Sequence, residues 1–155
     1  MMRFKSKQDL SALTKFHNQL KQLSGLEVTY GYYDDETHYS GLTMAHLAAI
    51  HEFGWNNLPE RNFIYSTQLS FRNDLNKHIK SLMNDIIAGK GFTSGLNRIG
   101  KSGVEAIKFT IDAGTFSNNK VSDNWAKVKG FSDAMIHYGD LQDATKFKVG
   151  QRTED

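Results

Sequence analysis

The chain has 155 residues, 39% of them hydrophobic and 23% charged, the size of one ordinary domain and a balance that is globular and not disordered. It contains no cysteine, which removes disulfides, thiolate metal centres and cysteine nucleophiles and fits a reducing compartment. A net charge of +2, with the lysines dispersed, is too weak a signature for a dedicated nucleic-acid binder.

The opening residues MMRFKSKQDL lack an apolar signal core, and no apolar run approaches membrane-spanning length, so a cytoplasmically made protein with no membrane association is expected. From about Gln8 to Leu23, the residues Leu10, Leu13, Phe16, Leu20 and Leu23 recur at helical spacing, and Gly25 follows as a C-terminal stop. Leu26, Val28, Tyr30 and Tyr32 then alternate with Glu27, Thr29 and Gly31, the period of a half-buried strand, which ends in the acidic turn Asp34–Glu36. A second helix is expected near Thr43–Phe53, stopped by Gly54, with a loop over Trp55–Pro59. Arg61–Tyr65 is short and rich in strand formers and is read as extended, the start of the next helix being the alternative. Phe71, Leu75, Ile79, Leu82 and Ile86 define that third helix, ended by Gly89. A fourth runs over roughly Ser94–Ala113, with Ser94 as candidate N-cap and Gly114 as stop. Residues 115–133 are polar and irregular, with one helical turn expected around Trp125 capped by Ser122, and Thr145–Val149 alternates as a closing strand. The predicted architecture is a single α+β domain spanning residues 1–155, with an N-terminal helix in 1–25. Its small, mostly antiparallel sheet is packed by three or four helices.

Most segments that resemble catalytic motifs fail on context. Gly95–Ser102 matches the phosphate-loop pattern letter for letter, but that loop must follow an apolar strand and leave its backbone N–H groups open to phosphate. Here Leu96 and Ile99 continue the stripe of Gly103, Ile107 and Ile111, so the segment reads as helix. Gly100 and Gly103 each cost about 1 kcal/mol relative to Ala inside a helix, which points to close packing against a neighbour. His46 and His51 are five apart and diverge around a helix, whereas paired zinc ligands want a spacing of four. There is no Gly-x-Ser-x-Gly elbow. No catalytic residue, cofactor or metal site is therefore expected.

The informative stretch is Ile50-His51-Glu52-Phe53-Gly54, followed by Leu58-Pro59-Glu60-Arg61-Asn62-Phe63-Ile64. A helix halts at a glycine, and a proline stiffens the backbone just before an arginine among buried-type residues. Glu52 and Arg61 bracket the turn: they either close it with a charge-assisted bond or stand as two independent surface charges.

An "hEFG" helix end followed by "iP-x-R-x-F" resembles the signature of a tailed-phage virion morphogenesis family, whose members serve as tail-completion, head–tail joining or neck proteins. A second family segment, "KG…PLi-x-TG-x-L" before a closing strand, is matched by Lys129-Gly130 through Gly139-Asp140-Leu141. The resemblance spans roughly residues 26–150. The expected proline and leucine are here Ala134 and Met135, and the expected threonine is Tyr138.

The resemblance implies a non-enzymatic structural protein of the virion, a neck or tail-completion subunit at the head–tail junction. It would form a closed ring, expected to be a hexamer, between head connector or stopper proteins and the tail-tube or tail-terminator proteins. DNA would transit its lumen without sequence-specific binding. A tail-terminator subunit is an alternative, as is a small nucleic-acid-binding protein using Lys127, Lys129, Lys146 and Lys148. Phe116, Trp125 and Phe131, aromatics in a polar stretch, are candidate inter-subunit contacts. The competing reading folds that loop back on its own core.

Overall fold

The structure, a computed structural model, describes residues 7–130, 132–135 and 139–152. In chain order the elements are α1 (Lys7–Ser24), β1 (Leu26–Gly31), α2 (Met44–Phe53), α3 (Phe63–Ile87), α4 (Thr93–Ala113), α5 (Asp123–Lys129), α6 (Asp140–Asp143) and β2 (Lys146–Gln151). They form one α+β domain. The sheet is a single antiparallel pair, with Leu26 opposite Gln151 and Gly31 opposite Lys146, so the first and last predicted strands are each other's partners.

The long antiparallel pair α3 and α4 forms the body, and α4 lies across both strands. Three glycines make that approach possible. A Cβ on Gly103 would fall 2.5 Å from the Tyr30 ring, one on Gly95 2.5 Å from Leu82, and one on Gly100 would lie inside the van der Waals envelope of the Phe147 ring. The phosphate-loop look-alike is thus the first turns of α4, its glycines buried against side chains.

Apolar side chains collect in two clusters along α4. One joins Met44 and Ala48 of α2, Phe63 of α3, Ile107 and Ile111 of α4, and Leu141 of α6. The other joins Leu82, Ile86, Leu96 and Ile99, covered by Phe16, Leu20 and Leu23 of α1. Between α3 and α4, Thr67 Oγ1 lies 2.8 Å from Phe63 O and 2.9 Å from Thr110 Oγ1, which in turn lies 3.0 Å from Ala106 O, so each hydroxyl of this buried pair has an acceptor for its one proton.

Several expectations are corrected. The α1 stripe is only partly used, because Leu10 and Leu13 remain more than half exposed. Ser94 is not the N-cap of α4: Phe92 holds that position without a side-chain bond, and Ser94 lies within the first turn. The Arg61–Tyr65 segment resolves as helix from Phe63 onward, only Arg61 and Asn62 being non-helical. Ser122, as expected, caps α5 by accepting the Trp125 N–H. Among the described residues no helix is long and apolar enough to cross a membrane.

Candidate functional site

The site is the corner between α2 and α3. Helix α2 stops because Gly54 takes φ 75°, and no side chain fits there: a Cβ would meet Glu60 N at 2.9 Å and Leu58 O at 3.0 Å. Trp55 and Leu58 then exchange backbone hydrogen bonds of 3.1 and 2.8 Å, closing a tight loop. Pro59 lies exposed on the return. The incoming chain is fastened to the end of α2 by Arg61 N donating to His51 O (2.9 Å) and Asn62 N to Glu52 O (3.2 Å).

Asn62 occupies the N-cap position of α3 in a left-handed conformation, φ 37°, and makes no side-chain cap bond. The cap comes instead from the preceding helix. Glu52, buried, accepts Ile64 N–H at Oε2 (2.7 Å) and Tyr65 N–H at Oε1 (3.0 Å). One carboxylate thereby satisfies two of the orphan donors of α3 and meets the positive end of its dipole. Phe63 follows at 0% exposure, its ring edge-on to Tyr32 at 6.0 Å.

Arg61 is 3% exposed, and its Nη1 donates to His51 Nδ1 at 2.9 Å. A guanidinium has only donors, so Nδ1 is the acceptor and His51 is neutral with its proton on Nε2. Burial, reinforced by the neighbouring Arg61 charge, pushes the His51 pKa down to about 4. Glu52 and Arg61 therefore neither pair with each other nor lie at the surface, and both sequence readings of them are corrected. Phe53 is 77% exposed, so of the motif residues it alone carries a large apolar side chain out of the core.

The second motif segment comes to the same place. Gly130 caps α5 in the left-handed region, its N–H bonded to Ala126 O. Gly139, φ 78°, opens α6 and delivers Leu141 into the α2–α4 core. Ala134, standing where the resemblance expects proline, donates its N–H to Asn119 O at 2.7 Å, a bond that proline lacks the hydrogen to make. His51, Leu58 and Arg61 of the corner and Met135, Asp140 and Leu141 of the second segment line one cavity of about 260 Å³.

No protein-family model, curated protein or solved structure matches this chain.

Of the candidate contact aromatics, Phe116 packs on the core of its own chain, Trp125 is half exposed on α5, and Phe131 lies outside the described residues, as does Tyr138, which stands where the resemblance expects threonine. The corner is also tied to that segment, since Asn118 Nδ2 donates to Glu60 O and Ser117 N to Asn62 Oδ1. Lys146 and Lys148 face carboxylates: Lys146 Nζ is 2.7 Å from Glu36, and Lys148 Nζ is 3.4 Å from Asp35. Lys148 also sits 3.9 Å over the Tyr33 ring. Among the described residues there is no group of three or more His, Asp or Glu placed to hold a metal. Sequence reasoning singled out Glu52 but missed its partners: it is the penultimate residue of α2, and its carboxylate accepts the first N–H groups of α3.

Proposed function

We propose that this protein is a structural subunit of a tailed-phage particle, a neck or tail-completion component that assembles as a closed ring at the head–tail junction. The observation that carries the reading is the convergence of the two motif segments. Residues 51–63 and the described part of 130–141, which bear the family resemblance, meet around one joint, where His51, Glu52, Arg61 and Leu141 hold backbone and core together. A joint that fixes the angle between α2 and α3 serves a part that must dock in one shape.

Beside the joint lies surface suited to a neighbouring subunit. Phe53, Trp55, Tyr65 and Leu69 are all more than half exposed. Phe53 and Tyr65 also border a groove of about 660 Å³ that runs between α2, α3 and the end of β1. Large exposed apolar side chains gathered at the end of one helix and the start of the next are the chemistry of an assembly contact. The carboxylate partners of Lys146 and Lys148 weaken the nucleic-acid-binding alternative, because they reduce the positive field two of its four lysines would supply.

The test is genetic and structural. Silencing the gene in a producing phage is expected to leave filled heads and tails unjoined or tails incomplete. Imaging of wild-type particles should place the protein at the neck in ring stoichiometry. Normal particles from the silenced phage, or purified virions without the protein, reject the proposal.

A further inference from the structure

We infer that the free edge of β2, with the groove between it and α4, docks an extended acidic segment of another protein as a third strand. Two observations carry this. The first is that the edge is open. Arg152 N donates to Gly25 O, and Leu26 lies opposite Gln151, so by alternation Glu27–Gly150 and Thr29–Lys148 are the hydrogen-bonded pairs. The N–H and C=O groups of Phe147 and Val149 therefore point away from β1, where no other described backbone group pairs with them. Such a row of unpaired groups is the template on which another chain adds a strand. The second is a groove of about 530 Å³ between α4 and the start of β2. Val104 and Phe147 give it apolar walls, and Lys101 and Lys108 line it without an ion pair among the described residues.

The charges choose the occupant. β2 carries Lys146 and Lys148, so pairing it with β2 of a second copy brings like charges together across the join. Those two lysines are engaged by Asp35 and Glu36, whereas Lys101 and Lys108 face the groove with Glu105 as its one acidic lining residue. A strand whose groove-facing side chains are acidic and apolar meets Lys101, Lys108 and Val104 and completes the hydrogen bonding of Phe147 and Val149. Glu154 and Asp155, outside the description, do not reach this place. Even the tightest hairpin turn, at Arg152–Thr153, would set them opposite Gln151 and Gly150, short of Phe147. The inference rests on the strand edge and the groove and is independent of the virion reading.

The test uses the intact, ¹⁵N-labelled protein, with amide hydrogen exchange at Phe147 and Val149 followed by NMR and the Thr29 amide, bonded inside the sheet, as reference. The probes are a capped peptide TEVEVT, its lysine counterpart TKVKVT, TEVEVT N-methylated at alternate residues, and a short DNA duplex, all at matched ionic strength. At saturation TEVEVT should slow exchange at Phe147 and Val149 at least about tenfold and leave Thr29 unchanged. It should bind at least about tenfold tighter than TKVKVT, the discrimination that two surface charge pairs and their reversal supply. N-methylation should abolish the protection, because the contact is made by backbone. The surface double variant Lys101→Glu with Lys108→Glu should invert the preference between the two peptides. Unchanged exchange with TEVEVT, equal affinity for TKVKVT, or full binding of the N-methylated peptide each overturns the site. So does exchange at Phe147 and Val149 that is already slow in the free protein, which marks the edge as occupied by this chain or a second copy. Tighter binding of the duplex than of TEVEVT at Lys101 and Lys108 assigns those lysines to nucleic acid and overturns it as well.

Discussion

Glu52 shows how one side chain can set the angle between two helices. Its carboxylate belongs to the last turn of α2, yet both its hydrogen bonds serve the first turn of α3. Glu52→Gln keeps the shape but loses the charge and one acceptor, and should cost about 1–2 kcal/mol, read as a lower urea midpoint at unchanged slope. His51 supplies a pH dependence. Its folded pKa, about 4, lies below the ordinary value of 6.5, so the unfolded chain takes up the proton first as the solution is acidified. Stability from this group is complete above pH 6.5 and is lost as pH falls toward 4, by up to about 3 kcal/mol. Unfolding free energies measured between pH 7 and 4 should decline more steeply in the wild type than in His51→Gln, whose amide oxygen can still accept from Arg61. Parallel curves would show that His51 is not held neutral.

At the scale of elements, α4 is decided by what its glycines touch. Helix propensity alone predicts that Gly103→Ala stabilises by about 1 kcal/mol. The structure reverses the sign, because the added methyl would meet the body of the Tyr30 ring rather than the tip of a flexible chain. Overpacking of this kind costs about 1–3 kcal/mol, so a net loss is expected in thermal unfolding. In a Tyr30→Ala background the same substitution should become neutral or stabilising, which a double-mutant cycle would detect. The register of β1 with β2 depends on this contact too, since Tyr30 pairs with Phe147, the ring that lies against Gly100.

For the whole molecule, the proposed role predicts that the joint serves folding and the exposed surface beside it serves assembly. Phe53 and Tyr65 flank the corner but take little part in the core. The double substitution Phe53→Ser with Tyr65→Ser should change unfolding free energy by no more than about 0.5 kcal/mol, as for exposed positions generally. It should nonetheless reduce the yield of infectious particles at least about tenfold when supplied in place of the wild type, if these rings anchor a subunit contact. Wild-type particle yields from a folded double variant would remove this surface from the assembly.

By itself the sequence determined the amphipathic helices, the alternating first and last strands, and the stops at Gly54 and Gly114, because periodicity and glycine are local properties of the backbone. It also marked the corner as special through the placing of Gly54, Pro59 and Arg61. Tertiary structure alone decided that Glu52 caps α3, that Arg61 turns to His51, that Leu10 and Leu13 stay exposed, and that Met135 and Leu141 close a cavity with Arg61. The physical reason is that spacing fixes which face of an element a side chain occupies. Which donor or ring it meets there depends on segments brought in from far along the chain.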